Sequence, residues 1–271
     1  MSPAPNRPRA GTQSLRRAVS LLRELSTRLT GGWTLTELAR QCELDRTTAH
    51  RMLDGLMREG LVSRHEPTRK YVLGPMAFEL GLAAAPRFDP RVACEPHLRR
   101  LCERVDDTIF LSVRSGSDTV CVDRREGHIA LKALVIEVGA RRSLVATAGG
   151  VAVLLALSPA ERRRLVTSCI DRLRPADAAH RAGIRRMLER SEAAGYGLNC
   201  DDITPGVSAI GVPILDRAGA PVAAITVAST SQHLDEPRRR KVLELVAREA
   251  AAMRGRVPAF TGATLAATAE L

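Results

Sequence analysis

The sequence predicts two domains: an N-terminal winged helix-turn-helix, mainly α-helical with a β wing, and a larger C-terminal α+β domain that follows a linker helix. With 271 residues, the chain is long enough for both. Two helix-start signals lie close together at Thr34 and Asp45, and a basic β hairpin follows them. From residue 89 onward, helical patterns alternate with β patterns, as in an α+β domain.

The first helix is predicted in the segment SLRRAVSLLRELSTRL, with Ser14 as its N-cap. Residues 1–10 before it are rich in proline and lack an apolar stretch, so we expect a disordered arm and no signal peptide. The apolar side chains of this helix share one face: Leu15, Val19, Leu22, Leu25 and Leu29.

The second helix is predicted to open with a capping box. Thr34 is the N-cap, and the carboxylate of Glu37 can reach back to the Thr34 amide. Trp33 and Leu38 have the spacing of a hydrophobic staple, which would fix the direction in which the chain enters the helix.

Asp45 is predicted to cap the third helix, and Gly60 supplies its left-handed stop. Ala49, Leu53 and Leu56 form the apolar stripe of this helix. The solvent face begins with Arg, Thr and His side chains, which can hydrogen-bond base edges or phosphates. Taken alone, this residue pattern is more typical of an ordinary amphipathic helix with a solvated basic face.

The context favours DNA binding instead. Two short β-prone runs, residues 61–64 and 70–73, flank the turn HEPTR and complete a winged helix-turn-helix over residues 11–73. We expect the wing to contact phosphates and the third helix to read bases in double-stranded DNA. The candidate DNA-binding residues are Thr34, Arg46, Thr47, Thr48, His50, Arg51, Arg64, Arg69 and Lys70.

The charge distribution agrees with this interpretation. Residues 1–75 hold 13 Lys and Arg against 7 Asp and Glu, a net charge of +6, whereas the other 196 residues carry +5. The positive charge is therefore denser in the winged-helix part, as expected for a phosphate-binding surface. A GC-rich genome would also favour arginine codons, but it would not explain the asymmetry.

Residues 74–86 are predicted to form a linker helix that Pro86 ends. An α+β domain is then expected over residues 89–254, and residues 255–271 read as a loose tail. The predicted helices of this domain cover residues 91–105, 148–157, 159–170, 177–194 and 236–254. The predicted strands cover residues 108–114, 119–125, 129–135, 207–215 and 221–229.

The last two strands have one bulky face and one face of small residues. A bare sheet face leaves room either for a small-molecule pocket or for a helix packed close to the sheet. The segment Ala148–Ala156 is the candidate helix. Both can hold if the start of that helix borders the pocket, where its amides would bind an anion near Arg141 and Arg142.

The six cysteines are scattered without a CxxC pair, and no apolar run is long enough to span a membrane. We therefore expect a cytoplasmic protein with reduced thiols. Cys94, His97 and Cys102 do not converge on one helix face, so neither a metal nor another cofactor is expected.

Two other function classes remain open. The chain has none of the Walker, GxSxG, HExxH or SxxK motifs, so no catalytic residue is assigned. An enzyme could still use Cys121 beside Asp123 as a nucleophile, although a buried strand thiol is the commoner case. Alternatively, the chain could be an architectural DNA-binding protein whose large domain only oligomerises.

The chain resembles the IclR (isocitrate-lyase-regulator) family of bacterial transcription regulators. The resemblance covers roughly residues 11–255 and lies in TLTELARQCELDRTTAHRMLDGLMREGLV, KYVLG, GARRSLVATAGGVAVLLAL and GYGLNCDDITPGVSAIGVPILDRAGAPVAAITVAS. It implies a GAF-like effector domain, no catalysis, and homodimers or homotetramers on operator DNA. We expect a repressor whose operator affinity is controlled by a small-molecule metabolite. It also implies a pocket whose matching positions here are Ala148, Gly149, Asn199, Ala209, Thr226 and Ala228.

The sequence departs from family members that bind small, highly oxidised acids. Asn199 stands where an acidic residue can occur, Ala209 and Ala228 replace polar side chains, and Val151 stands where a lysine is often found. The expected effector is therefore a small organic acid with an apolar body. Asp201 and Asp202 could supply the missing acidic role or could be exposed loop charges. We expect dimers through the helix at residues 15–30 and the linker helix.

Overall fold

The computed structural model describes residues 10–127, 136–173 and 178–259. The chain divides into two compact units, with the boundary between Pro86 and Arg87. Each unit has an apolar core of its own. The predicted strand at residues 129–135 lies outside the described residues.

The first unit is the expected winged helix-turn-helix. Its helices are α1 (Ala10–Leu25), α2 (Leu35–Gln41) and α3 (Arg46–Arg58), and its wing is the antiparallel pair β1 (Val62–His65) and β2 (Lys70–Leu73). Trp33 extends the wing by pairing with Tyr71 through two backbone hydrogen bonds of 3.0 and 2.8 Å. The core of this unit therefore joins the helices to the base of the wing, with Leu21, Leu25, Leu38, Leu53 and Tyr71 fully buried.

The prediction for the first helix was wrong at both ends. α1 already includes Ala10, so Ser14 lies inside it and is not its N-cap. It ends at Leu25 because the next two hydroxyls bond back to the last turn, Ser26 Oγ to the Arg23 carbonyl at 2.7 Å and Thr27 Oγ1 to the Glu24 carbonyl at 2.8 Å. These hydroxyls donate to carbonyls that would otherwise accept backbone amides from another turn of the helix.

The apolar face of α1 is also shifted from the one expected. Leu21 and Leu25 face the core, whereas the side chain of Leu15 is 66% exposed and Val19 is partly exposed. Leu29 lies beyond the helix and is exposed. The expected stripe is therefore only partly a core stripe, and part of it faces solvent.

Helix α4 (Pro75–Phe88) continues past Pro86, contrary to the prediction that this proline ends it. Proline removes one helical hydrogen bond, and only two residues of the helix follow it, so the cost falls on a terminal turn. No residue of α4 is buried.

The second unit is α+β, as expected. Its elements are α5 (Arg91–Cys102), β3 (Thr108–Ser115), β4 (Asp118–Arg125), β5 (Arg141–Ser143), α6 (Ala148–Leu155), α7 (Pro159–Asp171), α8 (Ala178–Ala194), β6 (Gly197–Cys200), β7 (Val207–Leu215), β8 (Pro221–Thr230) and α9 (Glu236–Ala252). The strands form an antiparallel sheet in the order β5-β4-β3-β8-β7-β6. The short edge strands β5 and β6 were not predicted.

The two faces of this sheet are covered by different helices. The bulky face, with Ile210, Ile214, Ile225 and Val227, packs into one core with residues of α5 and α9. On the small-residue face, a second core is built from α6, α7 and α8. The small-residue face is therefore covered by helices. Its contacts with α6 determine how much space remains between the sheet and that helix.

Candidate functional site

The start of α2 is fixed by the predicted capping box. Thr34 Oγ1 accepts the Glu37 amide at 3.3 Å, and Glu37 Oε2 accepts the Thr34 amide at 3.0 Å. The hydrogen bonds from Thr34, and then the one from Arg28, lower the pKa of Glu37 to about 2. The guanidinium of Arg28 also stacks on Trp33, 3.6 Å from the ring centre. The Thr34 hydroxyl is thus already engaged within its own helix.

Helix α3 presents a polar face whose first turn is held by Asp45. Asp45 Oδ1 accepts the Thr48 amide at 2.7 Å, and hydrogen bonds from Thr48 lower the pKa of this carboxyl. Ala49 and Leu53 anchor the helix on the core with no exposed surface. Within the described residues, no side-chain hydrogen bond or ion pair engages the exposed side chains of Arg46, Thr47, His50 and Arg51.

The wing holds its basic residues in a defined geometry. Arg64 Nε donates to the Arg69 carbonyl at 3.4 Å, and the Arg64 guanidinium lies 5.4 Å from the ring centre of Tyr71. Arg69 adopts a left-handed backbone, with φ 53°, at the end of the turn. Arg69 is exposed and Lys70 half-buried, so the wing and α3 both offer cations to solvent.

A cavity of about 630 Å³, counting its open mouth, lies on the small-residue face of the sheet beside the start of α6. Five of the predicted effector residues line it: Ala148, Asn199, Ala209, Thr226 and Ala228. Ala209 and Ala228 are register partners on β7 and β8, so their two methyl groups form one patch of its floor. No acidic side chain of the described residues lines this cavity, whereas Arg142 does.

Gly149, the sixth predicted residue, lies beside the cavity and packs α6 onto the sheet. A Cβ at Gly149 would collide with the Thr226 hydroxyl and lie 3.3 Å from the Ala224 methyl. Cβ atoms at Gly197 and Gly211 would likewise collide with the backbone of Ala148. The small-residue face therefore serves both purposes considered from the sequence: glycines admit the helix, and alanines beyond it leave the cavity.

The helix start offers fewer amides than expected. Thr147 caps α6 by accepting the Gly150 amide at 3.0 Å, so the amides of Ala148 and Gly149 remain for an anion. Arg141 is turned toward Asp118, with its Nη1 3.4 Å from Oδ2. Arg142 lines the cavity, and its Nη1 donates to the Arg141 carbonyl at 3.1 Å.

Asn199 and Asp202 are held by other parts of the protein. The Asn199 side chain donates to the Val207 carbonyl at 3.0 Å and accepts the amides of Asp202 and Ile203 at 3.2 and 3.3 Å. Since one amide hydrogen is used, Asn199 has one left for a ligand. Asp202 is buried and paired with arginines of α8, so it is neither an exposed loop charge nor a lining residue of the cavity.

Two family models match the chain: the bacterial transcriptional regulator IclR C-terminal model over residues 83–254, and the IclR helix-turn-helix domain model over residues 14–66. The chain belongs to the IclR family. No helix of the described residues is both long enough and apolar enough to cross a membrane.

Individual relatives support this membership. The HTH-type transcriptional regulator BhcR of Paracoccus denitrificans is 29% identical over 229 residues, covering 84% of this chain and 81% of BhcR. The HTH-type transcriptional repressor AllR of Salmonella typhi is 26% identical over 229 residues, 84% of either chain. A crystal structure of an IclR homolog from Microbacterium hydrocarbonoxydans, complexed with 4-hydroxybenzoate, has a TM-score of 0.61, 25% identity and coverage of 90% of this chain and 98% of that one. The present protein, as a member of the IclR family, is thus a DNA-binding transcriptional regulator.

Much of the cavity lining in this IclR-family chain was not predicted from its sequence. Phe110 and Ser112 reach it from β3, Thr119 and Cys121 from β4, and Met187 from α8. The alternation of Thr108, Phe110 and Ser112 was visible in the sequence. That β3 is the neighbour of β8, with Phe110 opposite Thr226, became known only from the sheet order.

Cys121 and Cys94 are buried thiols, and the imidazole of His97 is paired with a carboxylate. Burial raises the pKa of Cys121 to about 11, which keeps it a thiol at neutral pH and disfavours a nucleophilic role. Cys94 lies in the apolar core, and burial likewise raises its pKa to about 11. His97 Nδ1 lies 2.8 Å from Glu249 Oε2, in a buried pair that Arg100 joins.

Proposed function

We propose that this regulator binds double-stranded operator DNA through α3 and the wing, and that a small organic acid in the cavity changes its operator affinity. Residues 11–73 act as the DNA-binding domain and residues 89–254 as the effector domain. The proposed mode of action is repression, with operator affinity controlled by the effector. The observation that carries the proposal is the cavity itself, which is bordered by alanines, a helix start and an arginine but by no described carboxylate.

The DNA interface consists of α3 side chains that no other described group engages and of wing cations. Arg46, Thr47, His50 and Arg51 are exposed on α3, and Thr47 and Arg51 lie on the face opposite the buried Ala49 and Leu53. Thr34 and Thr48 contribute by fixing the first turns of their helices, whose positive ends favour a phosphate. Arg64, Arg69 and Lys70 of the wing contact backbone phosphate beside the groove that α3 enters.

The effector proposal follows from the chemistry of the cavity lining. Phe110, Ile136 and Met187 offer apolar surface, which suits the body of the ligand. Arg142 and the amide of Ala148, at the start of α6, suit a carboxylate. The hydroxyls of Ser112, Thr119, Thr204 and Thr226 can bind a second polar group on the ligand.

A thermal-shift screen of carboxylates tests the effector proposal. The panel contains 4-hydroxybenzoate, benzoate, short aliphatic monocarboxylates and the matching primary amides. At 100 times its Kd, a ligand stabilises the folded protein by about 2.7 kcal/mol, so the melting temperature should rise with concentration. We expect carboxylates with apolar bodies to stabilise the protein and their amides to do so much less. Equal stabilisation by acid and amide would contradict the proposed carboxylate site.

We further propose that the regulator is a dimer through α1 and α4, and that effector domains join dimers into tetramers. The side chains of Leu15, Phe78 and Leu82 are 66%, 68% and 58% exposed, an unusual concentration of large apolar side chains at the surface of one chain. Symmetric operators need two recognition helices, which a dimer supplies.

Light scattering at micromolar concentration is expected to give at least a dimeric mass. Exchanging Phe78 and Leu82 for Glu should shift the mass to that of a single chain, because charges would then occupy the apolar contact. Glu79→Gln, on the same helix, is the matched control and should leave the mass unchanged. A wild-type protein with the mass of one chain would contradict the proposal.

A further inference from the structure

The buried carboxylate of Asp202 connects the loop at residues 200–206 to helix α8. Its side chain is 1% exposed, accepts Arg186 Nε at 3.2 Å and also pairs with Arg190 Nη1. The same carboxylate accepts the backbone amide of Cys200 at 3.1 Å. Burying a charge is costly unless it is paired and hydrogen-bonded, and here each oxygen has a cationic partner.

This loop is one wall of the effector cavity. Ile203 and Thr204 line the cavity from the loop, and Met187 lines it from α8, one residue after Arg186. Gly183 brings the loop close to the helix, since a Cβ there would collide with the Asp202 carbonyl oxygen. The ion pairs and the close packing at Gly183 therefore join two lining segments that are not adjacent in sequence.

We propose that Asp202, through Arg186 and Arg190, is a positioning residue that holds this wall against α8 and so limits the size of the effector that the cavity admits. The proposal rests on the proposed effector function of the cavity. Asn199 acts in the same framework, because its side chain binds the Asp202 and Ile203 amides and the Val207 carbonyl at the two ends of the loop.

A merely stabilising ion pair would behave differently from a positioning residue. In Asp202→Asn, the side chain still accepts the Cys200 amide, and the two arginines, which are 55% and 36% exposed, can turn to water. The fold should therefore persist while the wall loosens. A general stabiliser would instead loosen the whole unit.

Two buried thiols distinguish these outcomes without knowledge of the effector. Cys121 lines the cavity, whereas Cys94 lies in the core on the other face of the sheet, and burial raises both thiol pKa values to about 11. Each thiol is compared with the same thiol in the wild type, so a change in its alkylation rate reports a change in local access. Cys121 measures opening of the cavity and Cys94 measures opening of the core.

The experiment is alkylation of the full chain with iodoacetamide, followed by mass spectrometry of the peptides that contain each cysteine. In Asp202→Asn, and in the Arg186→Gln/Arg190→Gln double variant, alkylation of Cys121 should accelerate by about tenfold, which corresponds to about 1.4 kcal/mol of local stability. Alkylation of Cys94 should stay at the wild-type rate. Glu189→Gln and Arg185→Gln, at exposed positions of the same helix, should leave both rates unchanged.

Equal acceleration at Cys94 and Cys121, or no acceleration at Cys121, would overturn the proposal. Operator titration of the same variants separates this result from the proposed function. If the wild type binds its operator and a carboxylate stabilises it, but the thiol pattern fails, only the positioning role is wrong. If the thiol pattern holds but no carboxylate stabilises the wild type, the wall is positioned as proposed and the effector proposal is wrong.

Discussion

Replacing Arg51 with alanine is expected to weaken binding to the selected operator by about 1–3 kcal/mol and to relax base preference. The reason is that Arg51 is exposed on α3, one residue after His50, and can donate two hydrogen bonds to a guanine edge. Thr47→Ala should act in the same direction. Arg64→Ala, Arg69→Ala and Lys70→Ala should instead weaken binding to all sequences alike, because phosphates carry no sequence information.

Selection from random oligonucleotides, followed by fluorescence anisotropy at several salt concentrations, checks this prediction. An interface with 6–10 phosphate contacts loses about 10³–10⁵ in affinity between 50 and 200 mM salt. Arg58→Ala is the matched control, since Arg58 lies at the other end of α3 and its side chain is 80% exposed beside Asp54. A random pool that yields no motif, or binding that ignores salt, would contradict the account of α3 and the wing.

Filling the cavity with Ala228→Leu is expected to abolish the effector response while operator binding stays intact. Ala228 is buried on the cavity floor opposite Ala209, so the larger side chain would occupy space that the ligand needs. The allosteric coupling, typically about 1–3 kcal/mol, should be lost because the ligand no longer binds.

Ala220→Leu makes the same chemical change in the exposed turn of the same hairpin and should respond like the wild type. If Ala228→Leu lowers the melting temperature of the protein, Ala209→Val can be used instead, because it fills the same patch with a smaller side chain. A normal response from a folded Ala228→Leu protein would show that the effector binds elsewhere. The alanines of β7 and β8 would then serve only to pack α6.

Local signals made the first unit predictable from sequence, and tertiary partners limited the prediction for the second. The caps at Thr34 and Asp45 depend on atoms within three residues, so the pattern alone located both helices. The C-terminus of α1 also depends on local bonds, but those of Ser26 and Thr27 compete with an apolar pattern that suggests a longer helix. In that case, the side-chain hydrogen bonds prevailed over periodicity.

The cavity was foreseen on β7 and β8 because small residues alternate there. It was not foreseen on β3, β4 and α8, because their proximity depends on the sheet order and on how α8 packs. Asp202 shows the same limit. Its role depends on Arg186 and Arg190, which are 16 and 12 positions away in sequence, and no local pattern marks that pairing.

Occupancy of the cavity is expected to change operator affinity. The most direct test is an operator titration of the wild-type protein, at one fixed salt concentration, with and without the carboxylate that gives the largest thermal shift. We expect an affinity change of about 5- to 150-fold at saturation, and no change for Ala228→Leu. A carboxylate that stabilises the wild-type protein but leaves its operator affinity unchanged would contradict the account.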